Sequence, residues 1–261
     1  MARSLAGGLI ARGRNASDIA VAEPVAAARE ALAREFGVRV TDDNAAAARD
    51  ASVVVLAVKP QVMRDVCSAL RDAIAGRGVL VVSIAAGIRT VQLERWLGNG
   101  TAIVRAMPNT PALLGAGATG LFATPAVSAA QRDAAAALLA TAGTTTWIDD
   151  EALMDAVTAV SGSGPAYFFL LIESLEAAAR AQGLAPDAAR ALVVQTALGA
   201  ARMAVEGGED AATLRQRVTS PGGTTQAAVE SLQAGGFARL VADAVARATE
   251  RGRELSAQFG D

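Results

Sequence analysis

The sequence predicts a doubly wound α/β domain, with a parallel sheet between two layers of helices, followed by an all-α domain. At 261 residues and 52% hydrophobic composition, the chain is long enough for two ordinary domains. Up to Asp150, short runs of β-branched residues alternate with alanine-rich helical patterns, and beyond it the strand signals cease. The runs are continuously apolar, which is typical of parallel strands covered on both faces. We therefore expect domains at 1–150 and 151–261.

The first predicted element is a helix over 2–12, with Leu5, Leu9 and Ile10 on its apolar face and Gly13 at its end. In a doubly wound fold, a central first strand feeds this helix through a glycine loop. Neither precedes the helix in this sequence. The strands that follow are predicted at 18–22, 38–40, 53–58, 79–84 and 102–106. The helices between them are predicted at 25–36, 44–50, 61–74 and 90–97.

The second domain is predicted to be entirely helical. Glycines punctuate its periodic segments, with Gly183, Gly207 and the pair Gly235-Gly236 at helix ends. The predicted helices lie at 151–160, 166–182, 186–206, 211–217, 225–233 and 237–258. Their apolar surface exceeds what a small bundle of helices hides. We therefore expect this domain to dimerise.

Composition argues against several kinds of partner. With 24 basic and 26 acidic residues, the formal net charge is −2. No basic cluster alternates with aromatic residues, so nucleic acid is not an expected partner. The apolar runs at 79–86 and 168–172 are shorter than the roughly 18 residues of a membrane span. Because no secretory pattern follows Met1, we expect a cytoplasmic protein without a membrane or nucleic-acid partner.

The absence of histidine restricts the chemistry. It removes histidine-assisted hydride transfer to carbonyls, Ser-His-Asp hydrolysis and histidine metal sites. The only cysteine, Cys67, lies in a predicted helix, so neither a disulfide nor a thiolate metal site is expected. Lys59 is the only lysine among the 24 basic residues. Its surroundings are therefore of particular interest.

Three predicted strands end in loops that suit a flat ligand. Ala-Val-Lys-Pro at 57–60 closes one strand, Ser-Ile-Ala-Ala-Gly at 83–87 the next, and Arg-Ala-Met-Pro-Asn-Thr-Pro at 105–111 the third. Small residues let a ring approach the backbone, and two prolines around Asn-Thr fix polar groups. A solvated lysine, a tight turn and a structural turn also explain the loops one by one. Because ligands sit at the carboxyl ends of parallel strands, the three together favour a nicotinamide cleft.

Two glycine-rich segments lead directly into helices of the second domain. They are Ser-Gly-Ser-Gly-Pro at 161–165 and Thr-Ser-Pro-Gly-Gly-Thr-Thr at 219–225. Free amides and hydroxyls at a helix N-terminus bind small anions such as a carboxylate. Ordinary capping by serine or threonine explains either segment alone. The occurrence of both, each rich in glycine, favours anion binding.

At these segments the sequence resembles the pyrroline-5-carboxylate reductase family over essentially its whole length. The matching segments are Met1-Ala2 with Gly7-Gly8-Leu9, 57–60, 85–87, 107–111, 161–167, 219–225 and Gly235-Gly236-Phe237. The resemblance implies a Rossmann domain and a helical domain that interleaves with a partner in a swapped homodimer, often within a decamer of five dimers. It also implies that NAD(P)H reduces 1-pyrroline-5-carboxylate to L-proline, the last step of proline biosynthesis.

The resemblance also implies where the ligands bind: the strand-end loops line the cofactor cleft, and the segment at 219–225 binds the substrate carboxylate and ring nitrogen. The candidate cofactor-binding residues are Met1, Ala2, Glu23, Asn44, Ala57, Val58, Lys59, Pro60, Ala85, Ala86, Gly87, Pro108, Asn109 and Thr110. The candidate substrate-binding residues are Ser220, Gly222, Gly223, Thr224 and Thr225.

The implied reaction needs no histidine. A cyclic imine is basic enough to be protonated near neutral pH, so the electrophile arrives already activated. Positioning of the substrate and the cofactor then supplies most of the acceleration. We assign to Thr225 the hydrogen bond to the imine or product nitrogen, which makes it the candidate catalytic residue. The amides around Gly222 and Gly223 are expected to bind the carboxylate, and no metal is expected.

The choice between NADPH and NADH rests on two residues. Glu23 ends the second strand, where an acidic residue accepts ribose hydroxyls and repels a 2′-phosphate. Against that, the family often uses NADPH, and Arg29 lies one turn into the next helix. NADPH is the expected cofactor, and NADH stays open.

The N-terminus departs from the family, whose members carry a strand and a Gly-x-Gly-x-x-Gly-like loop ending in Asn-Met-Ala. Here Met1-Ala2 resembles the end of that loop. We favour an internal methionine taken as the start over a chain that lacks its central strand and pyrophosphate loop. Two alternatives stay open. One is a related imine or β-hydroxyacid dehydrogenase, which typically needs a lysine in the helical domain. The other, if Met1 is the true start, is a non-catalytic oligomeric nucleotide-binding protein.

Overall fold

The computed structural model describes residues 1–259 and divides into two compact units. The first unit contains Met1–Ser163 together with the C-terminal segment from Arg247, and the second contains Gly164–Ala246. The sequence placed a domain boundary at 150. The structure keeps the helical segment that follows Asp150 in the first unit, because this segment packs on the sheet.

The first unit alternates strands and helices. Its helices are α1 (Ala2–Ala11), α2 (Ala26–Phe36), α3 (Asn44–Ala48), α4 (Met63–Ile74), α5 (Thr90–Leu97), α6 (Ala129–Ala140) and α7 (Met154–Val157). Its strands are β1 (Ala20–Ala22), β2 (Arg39–Thr41), β3 (Val53–Leu56), β4 (Leu80–Ser83), β5 (Ala102–Met107), β6 (Gly117–Ala123) and β7 (Gly143–Trp147). Helix α4 illustrates the pattern, because its buried residues Met63, Cys67, Leu70 and Ile74 recur at helical spacing.

The strands form two ladders. β1 pairs with β2 in parallel, and β3 to β7 form a five-stranded sheet in sequence order. Helices α4 and α5 pack on one face, where Leu56, Val81 and Ile103 are buried. Helices α1 and α6 pack on the other face, where Leu80 and Val104 are buried. The predicted doubly wound architecture is confirmed.

The far side of the sheet differs from the prediction. Strands β5 and β6 are antiparallel, and the segments β6, α6 and β7 have no counterpart in the sequence prediction. Strand β6 reads Gly-Ala-Thr-Gly-Leu-Phe-Ala, with one β-branched residue, so its strand signal is weak. A Cβ at Gly120 would lie 2.5 Å from Val157 Cγ1. The close approach of α7 therefore excludes bulkier residues from this strand.

The segment predicted as a helix at 151–160 is helical throughout, but it is not one regular α-helix. A 3-10 turn leads into α7, and α7 continues into a π-helical segment, Thr158–Gly162. The hydroxyls of Thr158 and Ser161 each donate to the carbonyl oxygen four residues earlier, at 2.8 and 2.9 Å. Such bonds compete with regular helical bonding and bend helices. The segment therefore changes its helical form within two turns.

No ladder joins β1 to β3 within residues 1–259. A doubly wound sheet places its central first strand at this position. Each of the two strands is consequently paired along one edge only. Strand β3 is entirely apolar, yet three of its four residues are only half-buried, whereas all four residues of β4 are buried. The unpaired edge of β3 thus leaves apolar surface partly open.

The second unit is helical throughout its described elements. It contains α8 (Gly164–Ala181), α9 (Pro186–Glu206), α10 (Ala211–Arg217), α11 (Thr224–Ala234) and the start of α12 (Phe237–Gln258). Helices α8 and α10 pack on α9. Between 164 and 246 only Gly164 and Ala189 are buried. Large apolar side chains are exposed along these helices: Phe168, Phe169, Leu170, Leu192, Leu198, Leu240 and Val241.

One helical stretch, Glu151–Ala181, is long and apolar enough to cross a membrane by length and composition alone. The apolar run at 168–172 is only a short part of this stretch. Only 17% of its most apolar window of 18 residues is buried in the single chain. An apolar helix that another subunit covers has the same length and composition, so this feature equally fits a subunit interface.

Candidate active site

The carboxyl ends of β3, β4 and β5 lie side by side at one edge of the larger sheet. These strands are parallel neighbours, and Leu56, Ser83 and Arg105 are level in the register. The loops at 57–60, 84–87 and 108–110 therefore leave the sheet at the same edge. The predicted grouping of the three loops is confirmed, and the roles of their residues stay predictions.

The first loop turns sharply after β3. Pro60 begins a 3-10 turn, in which the Val62 N–H donates to the Lys59 carbonyl oxygen at 3.2 Å. Ala57 and Lys59 are exposed, whereas Val58 and Pro60 are half-buried. Within the described residues, the Lys59 ammonium takes part in no ion pair. An unpaired cation at this edge suits an anionic group of a nucleotide.

The second loop stays close to the sheet. Ser83, Ala85 and Gly87 are buried, and Ala86 is exposed. Gly87 has a φ of +76°, a left-handed conformation that favours glycine. A Cβ at this position would lie 3.1 Å from Cδ2 of Phe259, so an aromatic ring covers the glycine. Ala86 is the residue that offers small, accessible surface to a ligand.

The third loop is braced by Asn109. Its Oδ1 accepts from the Ala118 N–H, and its Nδ2 donates to the Ser161 carbonyl oxygen, both at 2.9 Å. The side-chain amide thus ties the loop to β6 and to the π-helical segment. Pro108 is buried, and Thr110 is exposed at the start of a 3-10 turn. Thr110 is therefore better placed than Asn109 for the cofactor contact predicted from sequence.

Acidic and basic groups meet at the carboxyl end of β1. One carboxylate oxygen of Glu23 accepts from the Val25 N–H at 2.9 Å. Arg29 donates to the backbone oxygen of Glu23 at 2.7 Å and lies 3.8 Å from an Asp42 carboxylate oxygen. Asn44, at the start of α3, is half-buried. The Arg29 guanidinium therefore lies directly beside the strand end where the sequence predicted the ribose contact.

The N-terminus of α1 has a feature that the sequence did not single out. Met1 precedes the helix, and Ala2 is its first residue. The Ser4 Oγ atom is buried in the first turn and has no hydrogen-bond partner within residues 1–259. A Cβ at Gly8 would lie 2.9 Å from the Thr141 carbonyl oxygen, so the glycine lets α1 pack against the end of α6. The free amides at this helix end suit an anion.

The glycine loop before α11 is closed by its own hydrogen bonds. The Gly222 N–H donates to Gln226 Oε1 at 2.6 Å, and the Gly223 N–H donates to the Ser220 carbonyl oxygen at 3.0 Å. Gln226 Nε2 in turn donates to a carboxylate oxygen of Glu230 at 2.7 Å. The Gln226 side chain therefore holds this loop closed, although no motif in the sequence marks this residue.

This bonding engages the two amides that were predicted to bind the carboxylate, and their role stays a prediction. The amides of Gly222 and Gly223, which the sequence assigned to the substrate, are already engaged. Helix α11 begins at Thr224 with Gly223 as its N-cap, and the first amides of a helix have no partner within the helix. The donors that the loop presents are then the amides and hydroxyls of Thr224 and Thr225. Ser220 is exposed at the loop entrance.

The single cysteine plays no visible part at either location. Cys67 lies on α4 with no exposed surface, and burial raises the pKa of its thiol to about 12. The thiol is therefore neutral and unreactive at physiological pH. Within residues 1–259 no three side chains among His, Cys, Asp and Glu gather as metal ligands.

The fold and the strand-edge loops define a class of protein. A doubly wound sheet binds a dinucleotide at the carboxyl ends of its strands, beside the N-terminus of its first helix. Here that edge carries small-residue loops and one unpaired lysine, and an arginine lies at the end of β1. The protein is an NAD(P)-dependent oxidoreductase.

Comparison with known proteins specifies the family. Residues 1–87 match the family described as NADP oxidoreductase, coenzyme F420-dependent, and residues 151–255 match pyrroline-5-carboxylate reductase dimerisation. Pyrroline-5-carboxylate reductase of Pseudomonas aeruginosa is 53% identical over 260 residues, which cover 100% of this chain and 95% of the relative. The chain belongs to the pyrroline-5-carboxylate reductase family, whose members reduce a cyclic imine.

Solved structures agree. A pyrroline-5-carboxylate reductase from Coxiella burnetii superimposes with a TM-score of 0.95 at 43% identity, covering 97% of this chain and 94% of that chain. Pyrroline carboxylate reductase of Plasmodium falciparum, solved with NADP bound, gives a TM-score of 0.83 at 28% identity, covering 97% and 93%. The resemblance recognised in the sequence and the Rossmann-type fold with a helical dimerisation domain are both confirmed.

Proposed function

We propose that this chain reduces 1-pyrroline-5-carboxylate to L-proline with NADPH, as the last step of proline biosynthesis in the cytoplasm. The alignment of three small-residue loops at one strand edge carries the proposal, in a chain that matches the family from end to end. When bound, the cofactor supplies the hydride that the C=N carbon accepts. The nitrogen of the protonated imine becomes the secondary amine of proline, so the step itself needs no further proton.

The residues of the first unit fit a dinucleotide. The free amides at the start of α1 suit the pyrophosphate. Lys59, Ala86 and Thr110 lie exposed on the three loops at the neighbouring strand ends, where a nicotinamide and its ribose would be held. These groups bind and orient the cofactor, and orientation supplies most of the acceleration.

Arg29 supports NADPH over NADH. Its guanidinium lies across the end of β1, bonded to the Glu23 backbone oxygen rather than to the Glu23 carboxylate. The Glu23 carboxylate is engaged as an acceptor for Val25 N–H. A 2′-phosphate would pair with the guanidinium, which forms charge-assisted bonds to phosphate oxygens. Comparison of initial rates with the two cofactors tests this choice, and a preference for NADH would contradict it.

The start of α11 is proposed to bind the substrate. Its positive helix end and the free amides of Thr224 and Thr225 suit the carboxylate. The Thr225 hydroxyl is assigned to the ring nitrogen, as orienting group for the imine or as proton donor to the product amine. The Ser220 hydroxyl, exposed at the same loop, is a further donor for the carboxylate.

The dimerisation domain makes the protein a homo-oligomer. We propose that the dimer forms by exchange of helices. Helix α11 and the first half of α12 pack little on α8, α9 and α10 of their own chain, which leaves room for a partner between them. The exposed apolar side chains of α8 and α9 then become the interface. Light scattering distinguishes a dimer from a ring of five dimers, and a monomer at micromolar concentration would contradict the exchange.

Turnover of synthetic 1-pyrroline-5-carboxylate by the purified chain tests the activity, with oxidation of NADPH as the signal. Thr225→Ala is expected to lower kcat/KM for the imine about tenfold or more, because a hydrogen bond to a charged group contributes roughly 1.5–3 kcal/mol. Thr225→Ser keeps the hydroxyl and serves as the matched control. Full activity in Thr225→Ala would remove the assigned role. Absence of turnover despite NADPH binding would refute the reductase function.

A further inference from the structure

We propose that the C-terminal end of the chain positions the cofactor loop that follows β4. The C-terminal clasp consists of Ser256 at the end of α12 and Phe259 just beyond it, together with the groups that they contact in the first unit. The inference rests on the proposed function, because it takes the loop at 85–87 as part of the cofactor site. The restraint of this loop by the C-terminal clasp does not depend on that assignment.

In the first contact of the clasp, the aromatic ring of Phe259 lies against the backbone of Gly87. A Cβ at Gly87 would lie 3.1 Å from Phe259 Cδ2 and 3.3 Å from Cε2, so the ring packs directly on the glycine. Phe259 also packs against the core cluster between the sheet and helices α4 and α5. Gly87 has a left-handed backbone conformation and, as a glycine, no side chain that could anchor it. The ring therefore limits how far this loop can lift from the sheet.

The second contact is made through Gln92, which is buried near the start of α5. Its Nε2 donates to the Phe259 carbonyl oxygen at 2.7 Å, and its Oε1 accepts from the Arg89 N–H at 2.6 Å. One side-chain amide therefore joins the C-terminal segment to the residue two positions beyond Gly87. Both polar ends of the amide are used, as a buried amide requires.

The third contact is a buried polar network centred on Arg105. Arg105 Nη1 donates to Glu151 Oε1 at 3.1 Å, and the same carboxylate accepts from the Thr90 N–H at 2.8 Å and from the Thr90 hydroxyl at 2.7 Å. Arg105 Nη2 lies 3.8 Å from Asp155 Oδ1, to which the Ser256 hydroxyl donates at 3.3 Å. The network thus runs from the start of α5 to the end of α12.

These contacts all join the C-terminal segment to residues 87–90. Gly87 ends the loop and is covered by Phe259, and Arg89 is bonded to Gln92, which the C-terminal segment contacts. Thr90 begins α5 and is bonded to Glu151, which is linked to Ser256 only through Arg105 and Asp155. Helix α12 is continuous from Phe237 to Gln258, so the helix that follows α11 is also the one that ends on this loop. Ser256 and Phe259 are therefore positioning residues rather than ligands.

The test is Phe259→Ala, measured first without any ligand. Hydrogen exchange of the amides at 85–90 is expected to accelerate about tenfold, because the loop loses its cover. The dissociation constant for NADPH, measured by nicotinamide fluorescence, is expected to rise about tenfold, while kcat at saturating cofactor changes less than about twofold. Phe259→Leu, which keeps an apolar cover, is expected to restore most of both, and Ser256→Ala to give a smaller change in the same direction.

Leu138→Ala is the matched control. Leu138 is a partly buried apolar residue packed on the opposite face of the sheet, so its loss tests general destabilisation. Unchanged exchange at 85–90 in Phe259→Ala would overturn the clasp. Faster exchange in Phe259→Ala with an unchanged dissociation constant for NADPH would overturn the role of the clasp in cofactor binding. An equal rise of this dissociation constant in Leu138→Ala would also overturn that role. If the unaltered chain bound no NADPH, the proposed function would fail while the exchange measurement would still decide the restraint.

Discussion

Replacing Gln226 by alanine tests whether its hydrogen bond to Gly222 holds the loop before α11 in place. The Gln226 Oε1 to Gly222 N distance is 2.6 Å, and the side chain is half-buried, so the bond is well formed but not fully shielded from water. A neutral hydrogen bond of this kind contributes about 0.5–1.5 kcal/mol. Its loss should loosen a loop that Gly222 holds at a φ of +72°. We expect KM for the imine to rise about two- to tenfold.

The assay is steady-state reduction with saturating NADPH. The dissociation constant for NADPH should not change, because Gln226 lies outside the strand-edge loops. Gln226→Glu keeps an acceptor for the Gly222 amide but adds a negative charge beside Glu230 and the substrate carboxylate, so it should be worse than Gln226→Ala. Gln233→Ala, an exposed glutamine at the other end of α11, is the control. If Gln226→Glu matched the unaltered chain, the carboxylate would not bind at this helix start.

Three further predictions follow from single residues. Arg29→Ala should raise KM for NADPH at least about tenfold and leave KM for NADH within about twofold, as expected for loss of a bidentate phosphate contact; equal effects on both cofactors would contradict it. Cys67 should not react with Ellman's reagent until the chain unfolds. Because burial raises the pKa of its thiol from 9.0 to about 12, its contribution to stability should be intact below pH 9 and decline as the pH rises toward 12, which urea titrations at several pH values would measure. Gly120→Ala should destabilise the first unit by about 1–3 kcal/mol in urea unfolding, because the added Cβ would lie 2.5 Å from Val157. An unchanged midpoint of the urea transition would show that α7 moves to make room for the added Cβ.

The sequence predicts elements well where side chains and turn residues act locally. Helices α5, α9, α10 and α12 begin and end where their periodicity, prolines and glycines indicate. Strand β6 was missed because tertiary packing selects its residues: Gly120 makes room for Val157, and local propensity records only the glycine. The segment after Asp150 is helical as predicted, but its change from α to π form was not foreseen, because it accompanies hydroxyl-to-backbone bonds within the folded chain.

The candidate site shows the same division. Position at the end of a parallel strand is a local property, so the three loops were located correctly from their sequence. Whether a particular donor is already engaged is decided by contacts in the folded chain. Asn109 is engaged by Ala118 and Ser161, and Gly222 by Gln226, and such partners appear only when the chain is folded. Phe259 is distant from Gly87 in sequence, so no motif connects them.

The break between β1 and β3 leaves one edge of β3 available for main-chain bonding. This edge presents unpaired backbone N–H and C=O groups along Val53–Leu56, a run without charge or proline. A strand bonded along it would satisfy these groups and cover the apolar side chains of β3 that are half-buried. Burial and backbone pairing would then stabilise this part of the sheet together.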